Sequence, residues 1–126
     1  MNKIIFKVLV VPVFFLAGCA TVKDLRNNRP DLDLTSVNKA KDVGICIADR
    51  FENETQNLGT MSARETSNGY SVVIIEQMPG LISSQKDAIV VVDITNTQSG
   101  SHTLFFNNFL GGGQIYYRII RDCQSK

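Results

Sequence analysis

One histidine and three cysteines are all the imidazole and thiol ligands that 126 residues offer a metal. A structural or catalytic zinc needs three or four such donors at close spacing, and His102, Cys46 and Cys123 are too few and too scattered for that. No metal and no cofactor is expected. Charge of one sign is also lacking, with 13 Lys plus Arg against 12 Asp plus Glu. Nucleic-acid binding normally requires a basic face, so no nucleic-acid partner is expected, and no block of like charges marks a lipid-headgroup patch. The chain has no apolar run that could cross a bilayer, which takes about 20 residues; the run at 8–19 is far shorter and contains Pro12. Gly111, Gly112 and Gly113 are not followed by the Lys-Ser/Thr of a phosphate-binding loop. No serine sits in a nucleophile elbow, and a Ser-His-Asp set would have to be gathered from His102, Asp93 and one of Ser83, Ser99 or Ser101. Glu52 and Glu54 fall at a polar helix end, where solvated carboxylates are expected. Catalysis is not expected.

What is present begins at the amino terminus. Lys3 and Lys7 introduce an apolar stretch that ends in Leu16-Ala17-Gly18-Cys19. A short h-region behind basic residues is a signal peptide, not a membrane span. Its last four residues resemble the lipobox of bacterial lipoproteins. That resemblance implies a diacylglyceryl thioether on Cys19, removal of residues 1–18, and a mature chain that begins at Cys19. Two or three acyl chains hold a protein stably at a bilayer, where one does so only marginally, so the membrane is the expected partner through Cys19. Ala20, where an aspartate would signal retention in enterobacterial lipoproteins, implies sorting to the outer membrane, facing the periplasm from its inner leaflet.

The mature chain has 108 of the 126 residues and, without Lys3 and Lys7, 11 basic against 12 acidic side chains. That is one small domain and a tether. Residues 19–35 are polar and punctuated, with Arg26-Asn27-Asn28-Arg29-Pro30-Asp31, and read as a flexible tether reaching about 20 Å. The domain occupies 36–126. Ser36 is expected to cap a helix over 36–53, whose buried face carries Ala40, Val43, Ile47 and Phe51 with Cys46 among them.

Four strands are expected next, at 60–66, 70–77, 88–95 and 102–109. Ser67-Asn68-Gly69 is a hairpin turn in which Asn-Gly tolerates positive φ. The third strand is nearly all apolar and β-branched, as a central strand should be. After the glycine triplet a second helix spans 114–124, with Ile115, Ile119 and Cys123 four residues apart. Both Cys46 and Cys123 therefore face inward, and in an oxidising compartment they are expected to form a disulfide, two buried free thiols being the alternative. Short connections between strands imply an antiparallel meander. The expected fold class is α+β, a two-layer sandwich of four strands in α-β-β-β-β-α order with both helices on one face.

Cys46-Ile47-Ala48-Asp49-Arg50-Phe51-Glu52-Asn53, Asn68-Gly69-Tyr70-Ser71-Val72 and Arg121-Asp122-Cys123 resemble a group of short proteobacterial lipoproteins, some of them prophage-encoded. The resemblance transfers no active site; it implies a helix, a hairpin and a cysteine pair, and through the prophage association a role in superinfection exclusion. The expected function is that of a non-catalytic, lipid-anchored binding module for an envelope protein, the alternative being a protective inhibitor such as an immunity or phage-exclusion lipoprotein. Two candidate interaction surfaces follow from the four-stranded layout. One is the 79–87 loop with Leu81 and Ile82; the other is the sheet face left open by the helices, reached by Ile89 and Val91 or by Val90, Val92 and Ile94. The residues leave the oligomeric state open.

Overall fold

A computed structural model describes residues 22–55, 59–77, 86–108 and 113–125. The described part is α+β, with helices α1 (Val22–Arg26), α2 (Ala40–Glu54) and α3 (Gln114–Cys123) and strands β1 (Leu32–Ser36), β2 (Thr60–Thr66), β3 (Gly69–Gln77), β4 (Lys86–Thr97) and β5 (Gly100–Asn107). The strands form one antiparallel sheet in the order β1-β5-β4-β3-β2. The expected meander is therefore present, but it is extended by a fifth strand. β1 pairs with β5 from Leu32 opposite Phe105 to Ser36 opposite Ser101, so the segment read as a tether carries both a helix and an edge strand.

The chain starts on one edge of the sheet and must begin its meander on the other. α2 makes that connection, and its first turn already stands over the far edge, where Lys41 reaches Glu65 of β2 at 2.9 Å. It buries Ala40, Val43, Gly44, Ile47, Ala48 and Phe51, the face its periodicity predicts. Gly44 allows the close approach: a Cβ there would lie 2.1 Å from Tyr70 Cδ1.

Ser36 is not the helix cap. It completes β1, its hydroxyl donates to the Gln124 carbonyl, and Asn38 N–H donates to it in turn at 3.1 Å. The cap position falls on Lys39, which makes no side-chain cap bond. Asn96 of β4 supplies the acceptor instead, taking the Ala40 N–H at 2.9 Å. A local capping signal yields here to strand pairing, and a residue 56 positions away does its work.

The main core lies between the sheet and α2 with α3. Val72, Ile74, Ile89, Val90, Val92, Ile94 and Phe105 pack against Ile47, Phe51, Tyr116, Ile119 and Ile120, with Phe51 edge-on to Tyr116 at 5.2 Å. Phe105 is fully buried and meets Tyr117 edge-on, while Tyr70 and Tyr117 are partly buried against the same core. Cys46 and Cys123 form a disulfide with Cα atoms 5.8 Å apart, tying α2 to α3. Outside it, Arg50 binds Glu54 at 2.7 Å and Asp122 at 3.0 Å, so Glu54 is an ion-paired carboxylate and not merely a solvated one.

The hairpin between β2 and β3 turns on Ser67 and Asn68, with Thr66 opposite Gly69. Gly69 is thus the first strand residue. It is required for space rather than for positive φ, because a Cβ there would fall 1.8 Å from the Ile94 carbonyl oxygen.

Candidate functional site

Antiparallel pairing puts opposed residues on the same face, so the second face of the sheet can be read off as rows. One row is Thr35, His102, Thr95, Gly69 and Thr66; the next is Asp33, Leu104, Asp93, Ser71 and Arg64; the third contains Phe106, Val91, Val73 and Ser62. From one end to the other the face passes from hydroxyls, through charges, to apolar side chains.

α1 lies on the apolar end. Leu25 is 2% exposed and clusters with the buried Val91 and Phe106, with Val22, Val73 and Leu104 around them. Burying a leucine side chain contributes about 1.5–3 kcal/mol toward holding a one-turn helix that would not form alone. One residue on, Arg26 reaches the charged row. Its Nε and one terminal nitrogen each donate at 2.8 Å to the two oxygens of Asp93. The other oxygen-bearing neighbour is Ser71, which accepts from Arg26 at 3.3 Å and donates to Asp93 at 3.2 Å. The hydrogen bonds to Asp93 raise the Arg26 pKa above its ordinary value, against the opposing effect of partial burial.

This arrangement corrects the expected interaction surface. Val91 is fully buried, beneath α1 rather than on an open face. Ile89 is 4% exposed for a different reason. The register shifts between Ile74 and Ile75, which pair with Val90 and Ala88; the residue between them is an extra one, and such a bulge turns a side chain to the other face. Ile89 consequently joins Val90 in the main core. Leu81, Ile82 and Cys19 lie outside the described residues.

The hydroxyl row is left uncovered by the described residues. Thr35, Thr66 and Thr95 are exposed, with exposed Asp33 and Arg64 in the adjoining row. His102 is not on an edge strand, since β1 lies outside β5; it is 36% exposed and its Nε2 is hydrogen-bonded to Asp33. Of the groups a set with His102 would use, Asp93 is held by Arg26 and Ser71, Ser101, buried beside Thr103, faces the main core, and Ser99 lines the cleft beside the row. Ser83 lies outside the described residues. Beside the row, the β4–β5 hairpin and the start of α2 enclose an open cleft of about 500 Å³ lined by Val37, Lys39, Asn96, Thr97, Gln98, Ser99 and Gly100. Among the described residues no three His, Cys, Asp or Glu side chains group as metal ligands.

The strip and the cleft together offer hydroxyls, one imidazole, one carboxylate, one guanidinium and a lysine on a flat, solvent-facing surface. Chemically, such groups can donate and accept hydrogen bonds. A tether over 19–35 leaves no place for this strip; the alternation of Leu32 and Leu34 with Asp33 and Thr35 is the signal in the sequence that marks β1. Comparison with family models, curated proteins and solved structures found no match to this chain.

Proposed function

We propose that the protein is a bacterial lipoprotein, acylated on Cys19 and sorted to the inner leaflet of the outer membrane, whose periplasmic domain binds an envelope protein without catalysing a reaction. The observation that carries this reading is Leu16-Ala17-Gly18-Cys19 at the end of a short h-region. The Cys46–Cys123 disulfide supports it, because such bonds persist in exported compartments and are rare where thiols are kept reduced. The binding surface is the uncovered strip of Thr35, Thr66, Thr95 and His102 with the adjoining cleft. No ligand is required for its shape, since every strand that carries it is paired within the sheet.

The test has two stages. Cells labelled with an alkyne analogue of palmitate are expected to label the wild-type chain and not Cys19→Ser, with the wild type in the outer-membrane fraction. Labelling of Cys19→Ser would overturn the anchor. Photo-crosslinkers at Thr95 and at Leu81 in living cells are then expected to capture one envelope protein from Thr95. Capture of a toxin or a phage protein would instead make the chain a protective inhibitor.

A further inference from the structure

β2 is an edge strand with no partner among the described strands on its outer side. It is seven residues long, unbroken in register against β3, and lacks proline. Edges of this kind are normally blunted by prolines, bulges, charged side chains or short length, because the outward N–H and C=O groups template pairing with another strand; the charges here are Arg64 and Glu65, and Glu65 is paired with Lys41. The other edge, β1, has five residues, and its last, Ser36, is engaged by the Gln124 carbonyl. We propose that β2 pairs antiparallel with β2 of a second copy, joining the two sheets into one across a two-fold axis at Ala63.

The choice of partner and register follows from the side chains. A two-fold axis between antiparallel copies of one strand stands perpendicular to the sheet, so it joins like faces and centres on a residue. Centred on Arg64 or Glu65, it would oppose two like charges, which is destabilising. Centred on Ala63, it opposes two methyl groups, sets Ser62 against Arg64 and Met61 against Glu65, and pairs all seven residues from Thr60 to Thr66. That register directly opposes no two like charges.

The helix above the edge supplies the apolar contact. Lys41 of α2 reaches Glu65 at 2.9 Å, which fixes the side of α2 that overlooks β2. Ile45 lies one turn further along that side and is 40% exposed, one of two large hydrophobic residues left exposed among those described. Below it Ala63 is exposed and Met61 is partly buried. The two-fold axis brings Ile45 and Ala63 to their counterparts and sets Met61 beside them opposite Glu65, and a second copy covers an apolar strip that a single copy leaves in water.

Disulfide trapping in the full-length chain in its native membranes tests this. At the axis an Ala63→Cys side chain lies opposite itself, whereas Thr66→Cys lies opposite Thr60 and far from its own copy. With copper phenanthroline as oxidant, Ala63→Cys is expected to yield a covalent homodimer at least tenfold above Thr66→Cys and the wild-type chain. Thr60→Cys mixed with Thr66→Cys is expected to link as well. Ala63→Pro, which removes an amide that points away from β3, is expected to halve the sedimenting mass. Homodimer from Ala63→Cys no greater than from Thr66→Cys would overturn the proposal, and so would a dominant adduct to a different protein, which would make the edge a site for a foreign strand.

Discussion

Breaking the Cys46–Cys123 bond is the most direct way to ask what holds α3 in place. The bond closes a loop with a sequence separation of 77, and the chain-entropy relation gives about 4.5 kcal/mol for a loop of that size. A domain of roughly 100 residues has about 5–15 kcal/mol of total stability, so the bridge accounts for a large share of it. Reduced wild-type protein is the right comparison, because it keeps every sulfur and creates no cavity where the fully buried Cys123 packs. With a urea slope of about 1–2 kcal/mol per molar, the unfolding midpoint is expected to fall by about 2–4 M on reduction. α3 itself retains apolar contacts through Tyr116, Ile119 and Ile120, so the reduced domain is expected to fold in buffer with its helix content intact. A midpoint that moves by less than about 0.3 M would refute the reasoning. It would mean that the loop is already closed in the unfolded ensemble, or that packing alone fixes the two helices.

Gly44→Ala raises helix propensity by about 1 kcal/mol, but its methyl would meet the Tyr70 ring within 2.5 Å at two atoms; overpacking costs typically 1–3 kcal/mol, and a net loss of about 1 kcal/mol in urea unfolding is expected. Asp93→Asn removes the bidentate partner of Arg26, whose side chain is 38% exposed; after solvent screening the loss is about 1 kcal/mol, and limited trypsin digestion is expected to cut after Lys23 and Arg26 several-fold faster. Tyr116 is buried and its hydroxyl has no partner among the described residues, while burial raises its pKa. The native state therefore holds the phenol proton that the unfolded chain releases above about pH 10, so stability falls as pH rises past that value. Tyr116→Phe is expected to keep or raise the urea midpoint at pH 7 and to flatten this alkaline loss. Hydrogen bonding from Arg50 holds the Glu54 carboxyl below its ordinary value. Its contribution is present above the unfolded glutamate pKa of about 4.3 and is lost as pH falls through the lower folded value, so Glu54→Gln is expected to flatten the acid limb of a stability profile below about pH 4.3.

Local pattern and tertiary context divided the molecule between them. Ala40, Val43, Ile47 and Phe51 fall on one side of a 3.6-residue period, and in the fold that side is the buried face of α2. The same period places Cys46 and Cys123 inward, which is why a cysteine pairing can be inferred before any contact is known. Turn chemistry after Thr66 and Thr97, with apolar alternation between, marks the meander. These features depend on neighbours along the chain, and the chain alone carries them.

β1 and α1 are different. β1 is five residues and α1 a little over one turn, too short for periodicity to stand out from the polar segment around them, and neither is stable without the sheet it packs on. The fate of the second face followed from them: Val91 went beneath Leu25, and Asp93 to Arg26, 67 positions away. The bulge that turned Ile89 into the core is set by pairing between β3 and β4, and the α2 cap by Asn96 rather than by the nearer Ser36. The sequence by itself determined the period-bound elements, the inward cysteines and the α+β class. Only the tertiary structure decided which sheet face is covered, how many strands the sheet has and where an uncovered strip remains, because those outcomes rest on contacts between residues far apart in the chain, to which no local propensity is sensitive.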